Sequence, residues 1–383
     1  MALTISGFTM TGNLTAVHIP PPPPPIYYLW SFGRNYAGPL GLGDTTDRSS
    51  PVQIGALTTW LNIAAGYHTL STKTDGTMWS WGRNGSGQLG LGNSGSGTNR
   101  SSPVQIGALT TWLSVSAGRY HSLAIKTDGT MWSWGQNNYG KLGLGNTTDY
   151  SSPKQVGAGT TWASVSASSG NWTAAIKTDG TIWSWGRNDT FGALGLGNVT
   201  NVSSPVQIGA LTNWLRVSGG SYHGIAVKTD GTIWTWGRNA YGTLGLGNTT
   251  DYSSPKQVGA GTTWASIAGG SSHCVAIKTD GTMWSWGDNS NTGAGRLGLG
   301  DQERRSSPTQ IGALTNWLKI SAGRYHNLAI KTNSTLWSWG RNSYGEVGDG
   351  TTTTPVVSPI QVGSLTNWSS VAAGQRWSLA ISS

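Results

Sequence analysis

Residues 117–146 read AGRYHSLAIKTDGTMWSWGQNNYGKLGLGN, and close copies of this stretch return along the whole chain. The second aromatic of its WSW motif falls at Phe32, Trp81, Trp134, Trp185, Trp236, Trp286 and Trp339, at spacings of 49, 53, 51, 51, 50 and 53 residues. Self-similarity at such a period marks an array of one repeated unit, whereas 383 residues without it would be read as two or three unrelated domains. Within a unit, VSAG, YHSLAIKT and TMWSWG are short β-branched or aromatic runs, and PVQIG or PKQVG follows each SSP turn. Asp-Gly pairs starting at Asp75, Asp128, Asp179, Asp230 and Asp280 are hairpin signals between the second and third runs, with Asn333-Ser334 replacing them once. No run has a helical period. Four strands per unit and seven units predict an all-β, seven-bladed β-propeller.

A propeller must close its ring. The last copy stops at VAAGQRWSLAISS, before a TDGTxWSW run, while IYYLWSFG at residues 26–33 begins in mid-unit. One blade is therefore expected to be shared, with strands near residues 371–381 pairing beside residues 28–32. The expected organisation is an N-terminal strand segment at 1–19, a polyproline spacer at 20–25 and the propeller at 26–383.

The repeat also accounts for the composition. There are 22 tryptophans against three phenylalanines, and they fall into per-unit slots: the TTW or TNW position, the two positions of WSW, and Trp172 and Trp377 where other units have histidine. This reads as a packing device in which bulky rings fill the blades and Gly makes the turns. Charged residues are only 10%, against the customary quarter or so, so the surface is built from Ser, Thr, Asn and Gly. Cys274 is alone, which excludes a disulfide framework and a cysteine-based zinc site within one chain. The first 33 residues lack Lys and Arg and hold no unbroken apolar core, unlike a signal peptide, so the eleven Asn-x-Ser/Thr sequons are read as turn chemistry. No run reaches transmembrane length, so membrane insertion is not expected.

The recurring AGxYHxLAIKTDGTxWSWGxNxxGxLGLG resembles the repeat of the regulator of chromosome condensation (RCC1) family, over residues 26–383. The resemblance implies a seven-bladed propeller closed by shared terminal strands. It does not imply the family's best-known activity, nucleotide exchange on a nuclear GTPase with chromatin binding. That activity depends on loops and tails outside the repeat, and no long blade insertion or basic tail stands in for them here.

Catalytic, metal and cofactor sites are not expected. His68, His121, His223, His273 and His326 recur once per unit and would lie on a wide ring, too far apart for a shared metal; they read as buried imidazoles bonded to backbone. LGLGN lacks the Lys-Ser/Thr pair and the helix of a phosphate loop. The glutamates are Glu303 and Glu346 alone, and no acid/base pair stands out. The net charge of +9 directs attention to where the basic residues sit. Lys73, Lys126, Lys177, Lys228, Lys278 and Lys331 precede the hairpins, and Arg34, Arg83, Arg187, Arg238 and Arg341 follow WSWG or its equivalents. Both sets spread around the ring, against sequence-specific nucleic-acid binding and in favour of weak attraction to anionic glycans or cell surfaces. The candidate binding residues are Arg34, Tyr36, Arg83, Tyr139, Arg187, Phe191, Arg238, Tyr241, Arg304, Arg305, Arg341 and Tyr344. With the divergent loops at 93–100, 288–296, 301–305 and 349–359 they form either an asymmetric binding rim or a set of drifted exposed turns.

Residues 1–25 stand outside the repeat. LTISGFTMTGNLTAV alternates strand-forming residues and is followed by Pro20 to Pro25. An isolated strand gains stability by adding to another sheet. Leu3, Ile5, Phe8, Met10, Leu14 and Val17 are therefore read as an anchor on a rigid spacer, the alternative being a tail of no consequence. The overall style resembles proteins displayed on bacteriophage particles, particularly those of marine phages. The expectation is a non-enzymatic virion protein, a tail-tip or head decoration made in the host cytoplasm. It would dock on a neighbouring virion protein through residues 1–25 and touch host surface glycan or protein with its loops. A cellular interaction scaffold or GTPase exchange factor of the resembled family is the alternative.

Overall fold

A computed structural model describes residues 26–188, 190–290 and 295–383. The strands form seven four-stranded sheets, as the repeat predicts. In a representative blade the order from the ring axis outward is Trp112–Ala117, His121–Lys126, Met131–Gly135 and Tyr150–Gln155, all antiparallel. Small residues of the innermost strands, among them Ser116, Ser166, Ser218 and Ser321, line a central cavity of about 250 Å³. The same serines join neighbouring blades: Ser116 Oγ accepts from the Ala167 amide at 2.9 Å and Ser321 Oγ from the Ala373 amide at 2.9 Å.

The seventh blade is shared. Its strands run in the order Trp368–Ala373, Trp377–Ser382, Tyr28–Gly33 and Arg48–Gln53, with Tyr28 opposite Ser382 and Gly33 opposite Trp377. The anchor residues Leu3, Ile5, Phe8, Met10, Leu14 and Val17, and the proline spacer, lie outside the described residues.

Three repeated side-chain devices hold the blades. First, the second tryptophan of WSW is fully buried and reaches into the preceding blade, where Trp134 Nε1 donates to the Gln88 carbonyl at 2.9 Å. Trp81, Trp185, Trp236, Trp286 and Trp339 do the same to Pro39, Lys141, Ala193, Thr243 and Arg296. Burying such a ring contributes roughly 4–6 kcal/mol of transfer free energy, whereas the hydrogen bond adds about 1 kcal/mol, so burial stabilises and the bond orients. The LGLG glycine makes the room: Gly90 has φ +73°, and a Cβ there would lie 2.8 Å from Trp134 Nε1.

Second, the TTW tryptophan and the first tryptophan of WSW meet edge to face around the hairpin lysine. Trp112 and Trp132 have centroids 6.1 Å apart, and Lys126 Nζ lies 4.1 Å from the Trp132 centroid and 5.1 Å from that of Trp112. All six hairpin lysines are caged in this way. The aspartate two residues on caps its own turn instead: Asp128 Oδ1 accepts from the Thr130 amide and hydroxyl at 2.9 and 2.6 Å. These lysines, counted from sequence with the dispersed surface charge, are thus parts of the packing.

Third, the histidines bridge blades, and here the expectation of backbone partners is corrected. His68 Nε2 lies 2.6 Å from Ser122 Oγ, His121 Nε2 3.1 Å from Thr173 Oγ1, His273 Nε2 2.8 Å from Asn327 Oδ1 and His326 Nε2 2.9 Å from Ser378 Oγ. The partner is the side chain that follows the equivalent His or Trp one blade on, because the imidazole spans the gap between sheets whose backbones are already paired. Burial keeps these rings neutral, holding His68 and His273 at about 3 and His223 and His326 at about 4.

Candidate functional site

The hairpin register decides which residues share an end of the propeller. His121 pairs with Gly135, so residues just before the histidine and just after WSWG emerge together. The Gln136 amide donates to the Tyr120 carbonyl at 2.9 Å, and Arg187, Arg238, Arg341 and Arg34 bond in the same way to Asn171, Tyr222, Tyr325 and Arg376. The loop beyond is fixed by the asparagine of WGxN: Asn137 Oδ1 accepts from the Leu142 amide at 2.9 Å and its Nδ2 donates to the Asn146 carbonyl at 3.0 Å. Arginines and tyrosines therefore converge on one face, while the Asp-Gly turns occupy the other.

On that face cations and aromatic rings alternate. The Arg34 guanidinium lies 4.6 Å from the Tyr344 centroid and 5.4 Å from that of Tyr36. Arg187 sits 5.0 Å from Tyr139, Arg238 4.8 Å from Phe191, and Arg304 4.5 Å from Tyr241. Arg83 and Arg341 stack on Tyr67 and Tyr325 at 5.6 and 5.4 Å. Eleven of the twelve candidate residues thus take part in these stacks. Arg305 is placed differently, in an ion pair with Asp301 at the edge that is mirrored by Arg48 and Asp44.

Sequence reading missed the other half of the face: Tyr67, Arg119, Tyr120, Tyr222, Arg324, Tyr325 and Arg376, all from the segment before the histidine slot, together with Arg296. Arg119 stacks on Tyr120 at 5.0 Å and Arg324 on Tyr325 at 4.8 Å. The signal was present in AGRYH, since an antiparallel hairpin places its first and last residues side by side.

Two adjoining cavities open here. One of about 240 Å³ is bordered by Arg119, Arg238, Arg296 and Arg324 against the single carboxylate of Asp288. The other, of about 180 Å³, is bordered by Arg34, Tyr36, Tyr67, Arg83 and Arg376, and Gln375 touches both. Where the arginine after WSWG is replaced, a cation appears in the x position of GxLGLG. Lys141 Nζ donates to Gln136 Oε1 at 2.8 Å and Arg296 Nη2 lies 3.4 Å from Asp288 Oδ2. Burial brings Lys141 down to about 7, opposed by Asp149 and reinforced by Arg119. The face is thus cationic, desolvated in its floor and rich in flat rings.

Chemistry of bond making finds little support in these groups. Cys274 Sγ lies 3.3 Å from His223 Nε2, but burial pushes the thiol far above its usual range and keeps the imidazole neutral, the reverse of a reactive thiolate pair. Among the described residues no three His, Cys, Asp or Glu converge as a metal site. No helix among them is long and apolar enough to cross a membrane.

Fold and face define a β-propeller interaction scaffold. The chain belongs to the Regulator of chromosome condensation (RCC1) repeat family, matching its repeat at residues 28–70, 75–125, 128–176, 179–227, 230–277, 280–330 and 333–381. It is 33% identical over 344 residues to the ultraviolet-B receptor UVR8 of Arabidopsis thaliana, covering 87% of this chain and 65% of that protein. It is 32% identical over 336 residues to the human E3 ubiquitin-protein ligase HERC2, covering 85% of this chain but 6% of that protein. The chain therefore spans less than two thirds of the length of either relative. Human WBSCR16 superposes with a TM-score of 0.81 at 22% identity, over 93% of this chain and 98% of that one. Prp20p of Saccharomyces cerevisiae superposes with a TM-score of 0.80 at 19% identity, over 94% and 92%. These two likenesses concern the fold.

Proposed function

We propose that this protein is a non-enzymatic docking propeller whose arginine–tyrosine face receives an acidic segment of a partner protein. The observation that carries the reading is the cavity where four arginines face one carboxylate. Three positive charges in excess of the one carboxylate, beside a partly desolvated floor, attract carboxylates more strongly than dispersed surface charge does, and the neighbouring rings supply contact area with little side-chain entropy to lose. The relatives come from a plant and human, which supports a cellular setting. The virion setting rests on the sequence pattern of residues 1–25, and the same face serves either.

The test is a titration of the full chain with a poly-glutamate peptide, heparin and duplex DNA of matched charge. The peptide is expected to bind, and the Arg119→Ala/Arg324→Ala variant to bind it at least about tenfold more weakly. Absence of peptide binding, or preference for heparin or DNA, would overturn the reading.

A further inference from the structure

In the loops after WSWG an aromatic ring reaches across to the arginine of the next blade. Tyr139 lies 5.0 Å from Arg187, Phe191 4.8 Å from Arg238 and Tyr344 4.6 Å from Arg34. The loop of the shared blade breaks this pattern: Ala37 stands two residues after Asn35, where Tyr139 and Tyr344 stand two after Asn137 and Asn342. Its tyrosine comes one position earlier, as Tyr36, and is 72% exposed. The next arginine, Arg83, therefore has Tyr67 and Tyr120 as its rings, both at 5.6 Å, and none from that loop. The smaller of the two cavities opens beside it, with Pro39 and Trp377 as buried apolar walls and Arg34, Arg83 and Arg376 around it. Among the described residues none of these three arginines is in an ion pair. Arg34 and Arg376 crowd one ring, at 4.6 and 5.4 Å from the Tyr344 centroid. Glu346 feels the Arg376 charge, but it is fully buried and does not border the cavity.

We propose that this cavity receives a phosphotyrosine side chain carried by the partner's acidic segment, an inference that rests on the reading of the face as a receiver of such a segment. The ring is read from the molecule itself, whose other loops set a tyrosine or phenylalanine beside the next blade's arginine. Arg376 Nη1 donates to Tyr344 Oη at 3.1 Å, so a guanidinium already meets a phenolic oxygen here. The volume of about 180 Å³ suits a single ring, since a cavity of about 150 Å³ takes up one benzene. Three guanidiniums without a carboxylate match a phosphoryl dianion and its three acceptor oxygens better than they match one carboxylate. Gln375 borders both cavities, so the acidic residues flanking the phosphotyrosine would lie over the arginines of the larger one.

The test is fluorescence anisotropy of labelled poly-glutamate peptides carrying a central phosphotyrosine, tyrosine or phosphoserine, titrated with the full chain at constant ionic strength. The phosphotyrosine peptide is expected to bind at least about tenfold more tightly than the tyrosine peptide. It should also bind at least about threefold more tightly than the phosphoserine peptide, which has the charge without the ring. Ala37→Tyr supplies the ring in cis and should bring the phosphotyrosine and phosphoserine peptides within about twofold of each other. Its backbone suits the change, since Tyr139 holds φ +70° where Ala37 holds +72°. Equal binding of the phosphotyrosine and tyrosine peptides overturns this proposal and leaves the acidic-segment reading standing, whereas binding of none of the peptides overturns both. Equal binding of the two phosphopeptides to the natural chain, or a preference that persists in a folded Ala37→Tyr protein, overturns the assignment to an aromatic phosphate. So does displacement of the phosphotyrosine peptide by adenosine monophosphate at lower concentration than by free phosphotyrosine. Should Ala37→Tyr fail to fold, the comparison of the peptides on the natural chain decides.

Discussion

Arg296 Nη2 and Asp288 Oδ2 lie 3.4 Å apart, with side chains 3% and 7% exposed, at the floor of the larger cavity on the arginine–tyrosine face. Arg304 Nε reaches the same carboxylate from the rim at 3.1 Å. The pair inverts the charge order of Arg341 and Glu346, which lie 3.9 Å apart at the equivalent positions. Removing one partner of a buried pair leaves the other charged and desolvated. Asp288→Ala should therefore cost about 3–5 kcal/mol in urea unfolding, and most of that should return in Asp288→Ala/Arg296→Met. Equal losses in the single and double variants would show that the pair is not coupled.

Trp134 tests the struts between blades. Trp134→Phe keeps most of the buried ring and loses the bond to the Gln88 carbonyl, so about 1 kcal/mol is expected. Trp134→Ala opens a cavity and should cost about 3–5 kcal/mol. The seventh blade already carries the conservative change as Phe32, where the Glu346 carbonyl is met by Ser378 Oγ at 2.8 Å. Similar unfolding midpoints for the two variants would contradict the division between burial and bonding.

Acid should unfold the propeller through its histidines. Their folded values, about 3 for His68 and His273 and about 4 for His223 and His326, lie below the ordinary 6.5 of the unfolded chain. The unfolded state therefore binds more protons below pH 6.5, and stability falls with falling pH. Each of these groups should contribute about 1.4 kcal/mol of loss per pH unit between 6.5 and its folded value. The melting temperature should be nearly level above about pH 7 and drop steeply below about pH 6. A level profile down to about pH 4.5 would contradict buried neutral imidazoles.

Removal of residues 1–25 should leave the ring closed, since the closing strand is Tyr28–Gly33 and the preceding bridge is made at Tyr27. A melting temperature within about 2 °C of the full chain is expected, and a fall of more than about 10 °C would assign those residues a part in the fold.

The ring, its blade count and its closure were legible because repetition multiplies weak signals: one Asp-Gly pair is a hint, whereas five at fixed spacing fix the hairpins. Side-chain partners were less legible where they cross between blades. Nothing local to His68 names Ser122, and nothing local to Lys126 names Trp112, since both contacts depend on how sheets stack or fold back. The binding face was half legible: Arg34 and Tyr36 stood out after WSFG, but Arg119 and Tyr120 were not among the candidates. Applying the hairpin register to positions either side of His121 and Gly135 would have joined the two sets.

The central claim is that the arginine–tyrosine face binds an acidic protein segment by charge. It is tested most directly by calorimetric titration of a poly-glutamate peptide into three proteins across a salt series. The natural chain should bind with an affinity that falls steeply as salt rises. Arg119→Glu/Arg324→Glu should lose at least about tenfold at low salt. Arg48→Glu/Arg305→Glu carries the same change in net charge at the edge pairs and should bind within about twofold of the natural chain. Equal losses in both variants, or affinity indifferent to salt, would contradict the account.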